Sequence, residues 1–345
     1  MAKYNIRQGD GSNKAILTDS DGTRDLIAES LTHTGTFTAR NTISSLPSSY
    51  FTNYFPDATP IQGSTSGYAS GGYNKTTINK FPFSSDTNAS NVGDLTTDRE
   101  GAAGQSSTSH GYSSGGSIET TIDKFPFSIS SGTATDVGDL TVGRKHNAGQ
   151  SSGNHGYTSA GQDTPPAADT GSDIIDKFTF SSDANASDVG DLTQVRKNVA
   201  GQSSTVSGYT SGGGPPSRNT VDKFPFSSDA NATDVGNLSQ ARLSGAGQSS
   251  DANGYTAGSY VSPPYSLVLT IDKFPFSTDG NATAVGDLSA TRQQSTGQSS
   301  TTHGYTSGGS SPGAIDKFPF SSDANATDVG NLVSSSVYGP SGQQV

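Results

Sequence analysis

An all-β fold built from repeated four-stranded sheets, a six-bladed propeller, is what the sequence predicts, and three observations predict it. A Lys-Phe-Pro-Phe phrase, with small departures, recurs with its lysine at Lys80, Lys124, Lys177, Lys223, Lys273 and Lys317, at intervals of 44, 53, 46, 50 and 44 residues. Each copy is embedded in the same four short segments, in the same order, separated by clusters of Gly, Asn, Asp and Ser that favour turns. No stretch carries helical periodicity over a useful length. Four strands in about 40–50 residues is the spacing of a propeller blade.

The first segment of each unit, Gly-Gln-Ser-Ser at Gln105, Gln150, Gln202, Gln248 and Gln298, is small and polar. Such residues suit an inner strand, because strands converge at the axis of a radial array. The second segment opens on a Gly-Tyr pair, from Gly67-Tyr68 to Gly304-Tyr305, and closes in small residues. The third, Ile/Val-Asp-Lys-Phe-Pro-Phe, alternates apolar and polar until its proline, which suits a strand end. Its phenylalanines are expected to pack between neighbouring blades, each contributing roughly 1.5–3 kcal/mol on burial. The fourth ends in Val-Gly-Asp/Asn-Leu at Leu95, Leu140, Leu192, Leu238, Leu288 and Leu332. Four residues beyond the first five leucines stands an arginine: Arg99, Arg144, Arg196, Arg242 and Arg292. These arginines are expected to pair with a carboxylate or carbonyls of the next blade. Two segments compete to close the ring, Ile61-Gln62-Gly63-Ser64-Thr65 and Ser341-Gly342-Gln343-Gln344-Val345, since both resemble an inner strand. Six phrases give six blades; a seventh would have to be unfinished.

Composition limits the function classes. The chain of 345 residues has 43 Gly, no Cys, no Trp and a net charge of −11. No basic stripe is present to release counterions, so nucleic acid is not an expected partner. The longest apolar stretch, near Ser266–Ile271, is too short to span a bilayer, and Met1–Arg7 lacks an apolar signal core. Residues 1–58 do not repeat. They suggest short strands at Tyr4–Arg7, Ala15–Thr18 and Thr34–Thr42 and a helical turn at Leu26–Leu31. Such a polar piece is expected to dock as an arm or anchor on another subunit, ahead of a propeller spanning 59–345.

The segment order resembles the kelch repeat from about residue 60 to the end. It departs in placing Val92, Val137, Val189, Val235, Val285 and Val329 where that repeat has a tryptophan. The wording Asp-Lys-Phe-Pro-Phe-Ser-Ser-Asp-Ala-Asn-Ala-Thr-Asp-Val-Gly resembles repeat proteins of marine tailed bacteriophages. That resemblance implies a virion structural, tail-fibre, decoration or attachment protein. It would be held to other virion proteins by its N-terminal segment and would display the propeller to a host surface glycan or protein. A host-encoded carbohydrate- or protein-binding propeller, on the cell surface or extracellular, is the competing reading.

Candidate sites were sought on this frame. The turn Asp183–Asp188, with copies at Asp229–Asp234 and Asp323–Asp328, places oxygens at alternate positions, as calcium sites do. It lacks the downstream bidentate Glu, and a structural Asx turn explains the same residues. His110, His155 and His303 sit one per blade and do not converge, and no nucleophile–base grouping stands out. No cofactor and no catalysis are therefore expected. Variation is the better guide. The loop between the second and third segments expands around Pro165 and Pro166 in blade three, and around Tyr260, Pro263, Pro264 and Tyr265 in blade five, while blade four carries Pro215 and Pro216. Equivalent loops emerge on one face of a propeller, so these residues form the expected partner-binding surface, with tyrosines suited to glycan or protein contact.

Overall fold

The computed structural model describes residues 62–163, 171–262, 264–310, 313–334 and 337–345, and the backbone of 5–7, 13–15, 17–20 and 23–26. Contacts divide the chain into residues 1–50 and 51–345. In the first unit Asn5–Arg7 pairs with Asn13–Ala15, and Leu17–Ser20 with Thr23–Leu26, each antiparallel. Leu26 thus ends a strand instead of opening a helical turn. The expected strand at Thr34–Thr42 and the remainder of Leu26–Leu31 lie outside the described residues.

The second unit is a six-bladed propeller made of six four-stranded antiparallel sheets. Blades two to six take their strands consecutively, with inner strands at Ala103–Ser106, Ala148–Ser151, Ala200–Ser203, Ala246–Ser249 and Thr296–Ser299. Blade one is composite. Its second, third and outer strands are Ser66–Ser70, Thr77–Pro82 and Ser90–Asp94, and its inner strand is Ser341–Gln344 from the far end of the chain. Of the two candidates for closure the C-terminal segment is therefore the one used. The described residues include no helix long and apolar enough to cross a membrane.

The blade motif is explained by what each position meets in its neighbours. The tyrosine of one blade stacks on the second phenylalanine of the next, as Tyr112 on Phe180, Tyr157 on Phe226 and Tyr209 on Phe276, with ring centroids 4.8 Å apart in each case. The first phenylalanine lies over its own blade's Gly-Tyr glycine; a Cβ on Gly111 would stand 2.5 Å from the Phe125 ring. That close approach is why glycine precedes the second-strand tyrosine of each blade. At the axis the inner strands touch backbone to backbone. A Cβ on Gly104, Gly149, Gly201, Gly247, Gly297 or Gly342 would lie 1.9–2.3 Å from the carbonyl oxygen of the equivalent glycine one blade back, in an unbroken circuit of six. Cavities on both sides of the axis are lined by this ring of glycines. Each inner-strand glutamine then ties two blades: Gln105 Nε2 donates to Tyr157 O at 2.9 Å, and the series runs through Gln150, Gln202, Gln248 and Gln298 to Gln343, which donates to Tyr112 O at 2.8 Å.

The expected arginine pairing is present and its partner is specific. Arg99, Arg144, Arg196, Arg242 and Arg292 each meet the third-strand aspartate of the following blade: Asp123, Asp176, Asp222, Asp272 and Asp316, at 2.6–3.2 Å. All ten side chains are at most 3% exposed. A buried charge needs such a partner, and here the pair also receives hydrogen bonds from the residue after leucine, as Thr193 donates its amide and hydroxyl to Asp222. Between blades six and one both charges are absent together: Asn79 stands for the aspartate, and the sequence carries Ser336 in place of an arginine four residues past Leu332. The Asn79 Oδ1 accepts the Val333 amide at 3.1 Å in place of the ion pair.

Candidate functional site

The antiparallel register assigns every connection to one of two faces. Ala148 pairs with Ser159 and Ser151 with Gly156, so the end of the second strand lies beside the start of the inner strand. The loops between second and third strands therefore surround the channel mouth where the inner strands begin. The turns between first and second strands, and between third and outer strands, lie on the opposite face. Gln62, the first described residue of the propeller, is also on that opposite face, where its Nε2 donates to Ser249 O at 3.2 Å.

On the loop face blade five stands out. Its second and third strands run over Asn253–Val261 and Ser266–Pro275, against His303–Ser307 and Ala314–Pro319 in blade six. The added pairs Ser259 with Val268, Tyr260 with Leu267 and Val261 with Ser266 raise a hairpin above the face. Blade four braces it. Ser217 Oγ donates to Ser262 O at 2.8 Å and accepts the Ser262 amide at 3.0 Å, while Tyr260 and Leu243 exchange backbone hydrogen bonds. The Tyr260 and Tyr265 rings pack at 5.3 Å, and Tyr265 is 61% exposed beside exposed Pro264. Pro215 and Pro216 are exposed on the adjoining loop. Of the residues expected to form the binding surface, the structure brings together Pro215, Pro216, Tyr260, Pro264 and Tyr265. Pro165, Pro166 and Pro263 lie outside the described residues. Tyr73, in the equivalent loop of blade one, is a further exposed aromatic on this face, at 57%.

A second variable element of the same face is absent from the expectations above. Gly101, His146, Asn198, Ser244, Gln294 and Gly339 occupy equivalent positions before the six inner strands, and all have left-handed φ, from 55° to 69°. Their backbones form a closed circle in which each amide donates to the carbonyl of the preceding member, at 2.7–3.2 Å: His146 to Gly101, Asn198 to His146, Ser244 to Asn198, Gln294 to Ser244, Gly339 to Gln294 and Gly101 to Gly339. The circle frames a cavity of about 100 Å³ whose floor is the ring of glycines. Side chains here break the repeat in every blade, and Ser244 Oγ donates to Asn198 Oδ1 at 3.1 Å. The signal in the sequence is the non-repeating stretch between each arginine and the following alanine or threonine.

The opposite face carries the remaining candidates. His110 and His303 each hydrogen-bond through Nδ1 to the hydroxyl before them, Ser109 and Thr302. Burial, then the nearby lysine (Lys124 or Lys317), lowers each imidazole below its ordinary pKa, against the opposing pull of Asp183 or Asp86. The acidic turns are occupied by contacts to the preceding blade. Asp183 accepts from Lys124 at 2.5 Å, Asn185 Oδ1 accepts the Asp139 amide at 3.1 Å, and the Ala186 amide donates to Asp139 O at 2.7 Å. Asp229 with Lys177, Asp279 with Lys223, Asp323 with Lys273 and Asp86 with Lys317 repeat the arrangement. The turns thus act as staples over the outer strands. Among the described residues no group of three His, Cys, Asp or Glu side chains is placed to hold a metal ion.

No family model matches the chain, and no curated protein gives a significant match.

Proposed function

We propose that this chain is a non-enzymatic attachment propeller of a tailed-phage particle, which binds a glycan or protein of the host surface through its loop face. One observation carries the reading: departures from a nearly uniform repeat concentrate on a single face, where a raised hairpin braced by a neighbouring blade presents Tyr260, Pro264 and Tyr265. Rigid aromatic groups held in place before contact lose little conformational entropy on binding. The repeat wording, which resembles that of marine tailed-phage proteins, supports the virion assignment, and the kelch-like order of segments agrees with an interaction module. The absence of catalysis is supported by the pairing of two sets of acids: the buried third-strand aspartates are neutralised by arginine, and the first aspartate of each acidic turn pairs with lysine.

The test is binding of the labelled full chain to cells of the candidate host, with antibody labelling of purified phage particles alongside. Wild-type protein is expected to decorate both the cells and, through the antibody, the particles, and Tyr265→Ala is expected to weaken cell binding at least tenfold with unchanged thermal stability. Unlabelled particles would remove the virion assignment. Equal binding by the variant would remove the loop face as the contact surface.

A further inference from the structure

The ring closes across one seam that the backbone does not cross. Successive blades are joined covalently from outer strand to inner strand all the way round. The inner strand of blade one, Ser341–Gln344, is held to Ser66–Ser70 by hydrogen bonds alone. Some polar ties of the repeat are missing along this seam, although Ser70 Oγ bonds Ser341 Oγ at 2.9 Å and Gln343 Oε1 at 3.1 Å. Asn79 and Ser336 replace the ion pair found at the other five joints. Gln298 reaches the Tyr68 carbonyl at 2.9 Å but meets Ala69, where Gln105, Gln150, Gln202 and Gln248 also bond Thr158, Thr210, Thr256 and Thr306. A chain of amide-to-serine bonds runs from Gln344 to Ser106, then Ser151, Ser203, Ser249 and Ser299. The serine series ends there, because the inner strand of blade one carries Gln344 at the equivalent position.

Residues 62–65 lie where the series ends. The Gly63 amide donates to Ser299 O at 2.8 Å, and the Thr301 amide donates to Gly63 O at 3.2 Å. Gln62 reaches blade five at Ser249 O. Thr65 donates to Val345 O through both its amide, at 2.6 Å, and its hydroxyl, at 3.0 Å. One four-residue segment thus ties blades five and six to the residue that follows the closing strand. We propose that Gln62–Thr65 is the lock of the ring, the segment whose contacts hold the seam closed. Opening free energy differs among regions of a fold according to such local ties, and this one can be altered without touching the blades. The proposal stands on the seam contacts and does not depend on what the loop face binds.

Amide hydrogen exchange of the full chain tests it. Gly63→Val expels the segment, because even the first added carbon would meet the Phe83 ring and the Val345 backbone at 2.8 Å. Residues 66–70 and 341–344 are then expected to exchange at least tenfold faster, while 148–151 and 155–159 in blade three stay within twofold. Adding Ala69→Thr, which supplies the hydroxyl that Gln298 lacks, is expected to recover part of the protection. Should Gly63→Val fail to fold, Gln62→Ala combined with Thr65→Ala removes only the two side-chain bonds and is expected to give about fivefold at the same peptides. Unchanged seam exchange in the folded variant, or an equal rise in every blade, would overturn the lock.

Discussion

The buried ion pairs between blades make a quantitative prediction, because the protein contains its own neutral counterpart at Asn79 and Ser336. In the joint between blades three and four, Arg196 bonds Asp222 at 2.6 Å and the carbonyls of Gly212, Thr220 and Thr210, with both charged side chains fully buried. Asp222→Asn keeps an acceptor for the Thr193 amide, as Asn79 does for Val333, but strands the guanidinium in the interior. Arg196→Ser strands the carboxylate. Breaking a buried pair from one side costs about 3–5 kcal/mol, so each single variant is expected to lose that much. The double variant leaves no charge, and its cost is confined to the unpaired carbonyls and a cavity that water enters, about 2–4 kcal/mol in total. The singles sum to roughly 6–10 kcal/mol, so a coupling of at least about 2 kcal/mol is expected. Urea unfolding of the four proteins, followed by circular dichroism, measures it. Additivity within about 0.5 kcal/mol would show that the charges do not compensate one another and would refute the reasoning.

Further predictions follow from the axis, the tyrosines and the turns. Gly297→Ala would place a methyl group 1.9 Å from Gly247 O, forcing the blades apart by more than an ångström, and is expected to cost about 3 kcal/mol or more in urea unfolding. Gly280→Ala, whose added carbon meets nothing within 4 Å, is expected to be neutral or stabilising by up to about 1 kcal/mol. Burial raises the phenols of Tyr68, Tyr112, Tyr209 and Tyr305 from 10.0 to about 12. Their neutral forms stabilise the fold fully below pH 10, and that contribution is lost as pH rises from about 10 through 12. Absorbance at about 295 nm should therefore show these tyrosines ionising together with unfolding, and independent titration near pH 10 in a folded protein would contradict their burial. Excess chelator is expected to leave the melting temperature unchanged, since Asp183 and Asn185 are engaged by Lys124 and Asp139; a drop of several degrees would restore calcium to the acidic turns.

What the sequence disclosed and what it hid divide along physical lines. Periodicity disclosed the six blades, the phenylalanines between them and the role of the arginines, because each recurs at a fixed place in the phrase. The partner of Arg196 lies 26 residues downstream, so no local rule identifies Asp222, yet the joint loss of arginine and aspartate around blade one is a visible trace of their contact. Crowding at the axis was legible from Gly, Ala and Ser, but not that Gly201 rests on the carbonyl of Gly149 in the preceding blade. Asp183–Asp188 left calcium and a structural turn both open, since the deciding contact, Asn185 with the Asp139 amide, joins residues 46 apart. The circle through His146, Asn198, Ser244 and Gln294 escaped notice for the opposite reason. Its members are defined by backbone conformation and share no side chain.

In a ring whose joints are near copies, a position that abandons the repeat is informative only if its neighbours do not make up the loss. Blade two replaces the acidic turn with Ser128–Gly132, so Lys80 has no aspartate opposite it; Ile129, 8% exposed, instead packs with Tyr68 and Val92. Asn79 departs from aspartate, and Val333 answers it. Both are repairs, and they concern stability. Tyr265 and Pro264 are different, because the raised hairpin they cap is fully braced by Ser217 and Leu243 while their own outward surfaces remain in water. Bracing fixes a backbone, whereas leaving an aromatic group uncovered on that backbone forgoes apolar burial that the tyrosines and phenylalanines between the blades obtain. That forgone burial becomes available when a partner covers it, which is why the loop face of blades four and five is the surface on which binding is proposed.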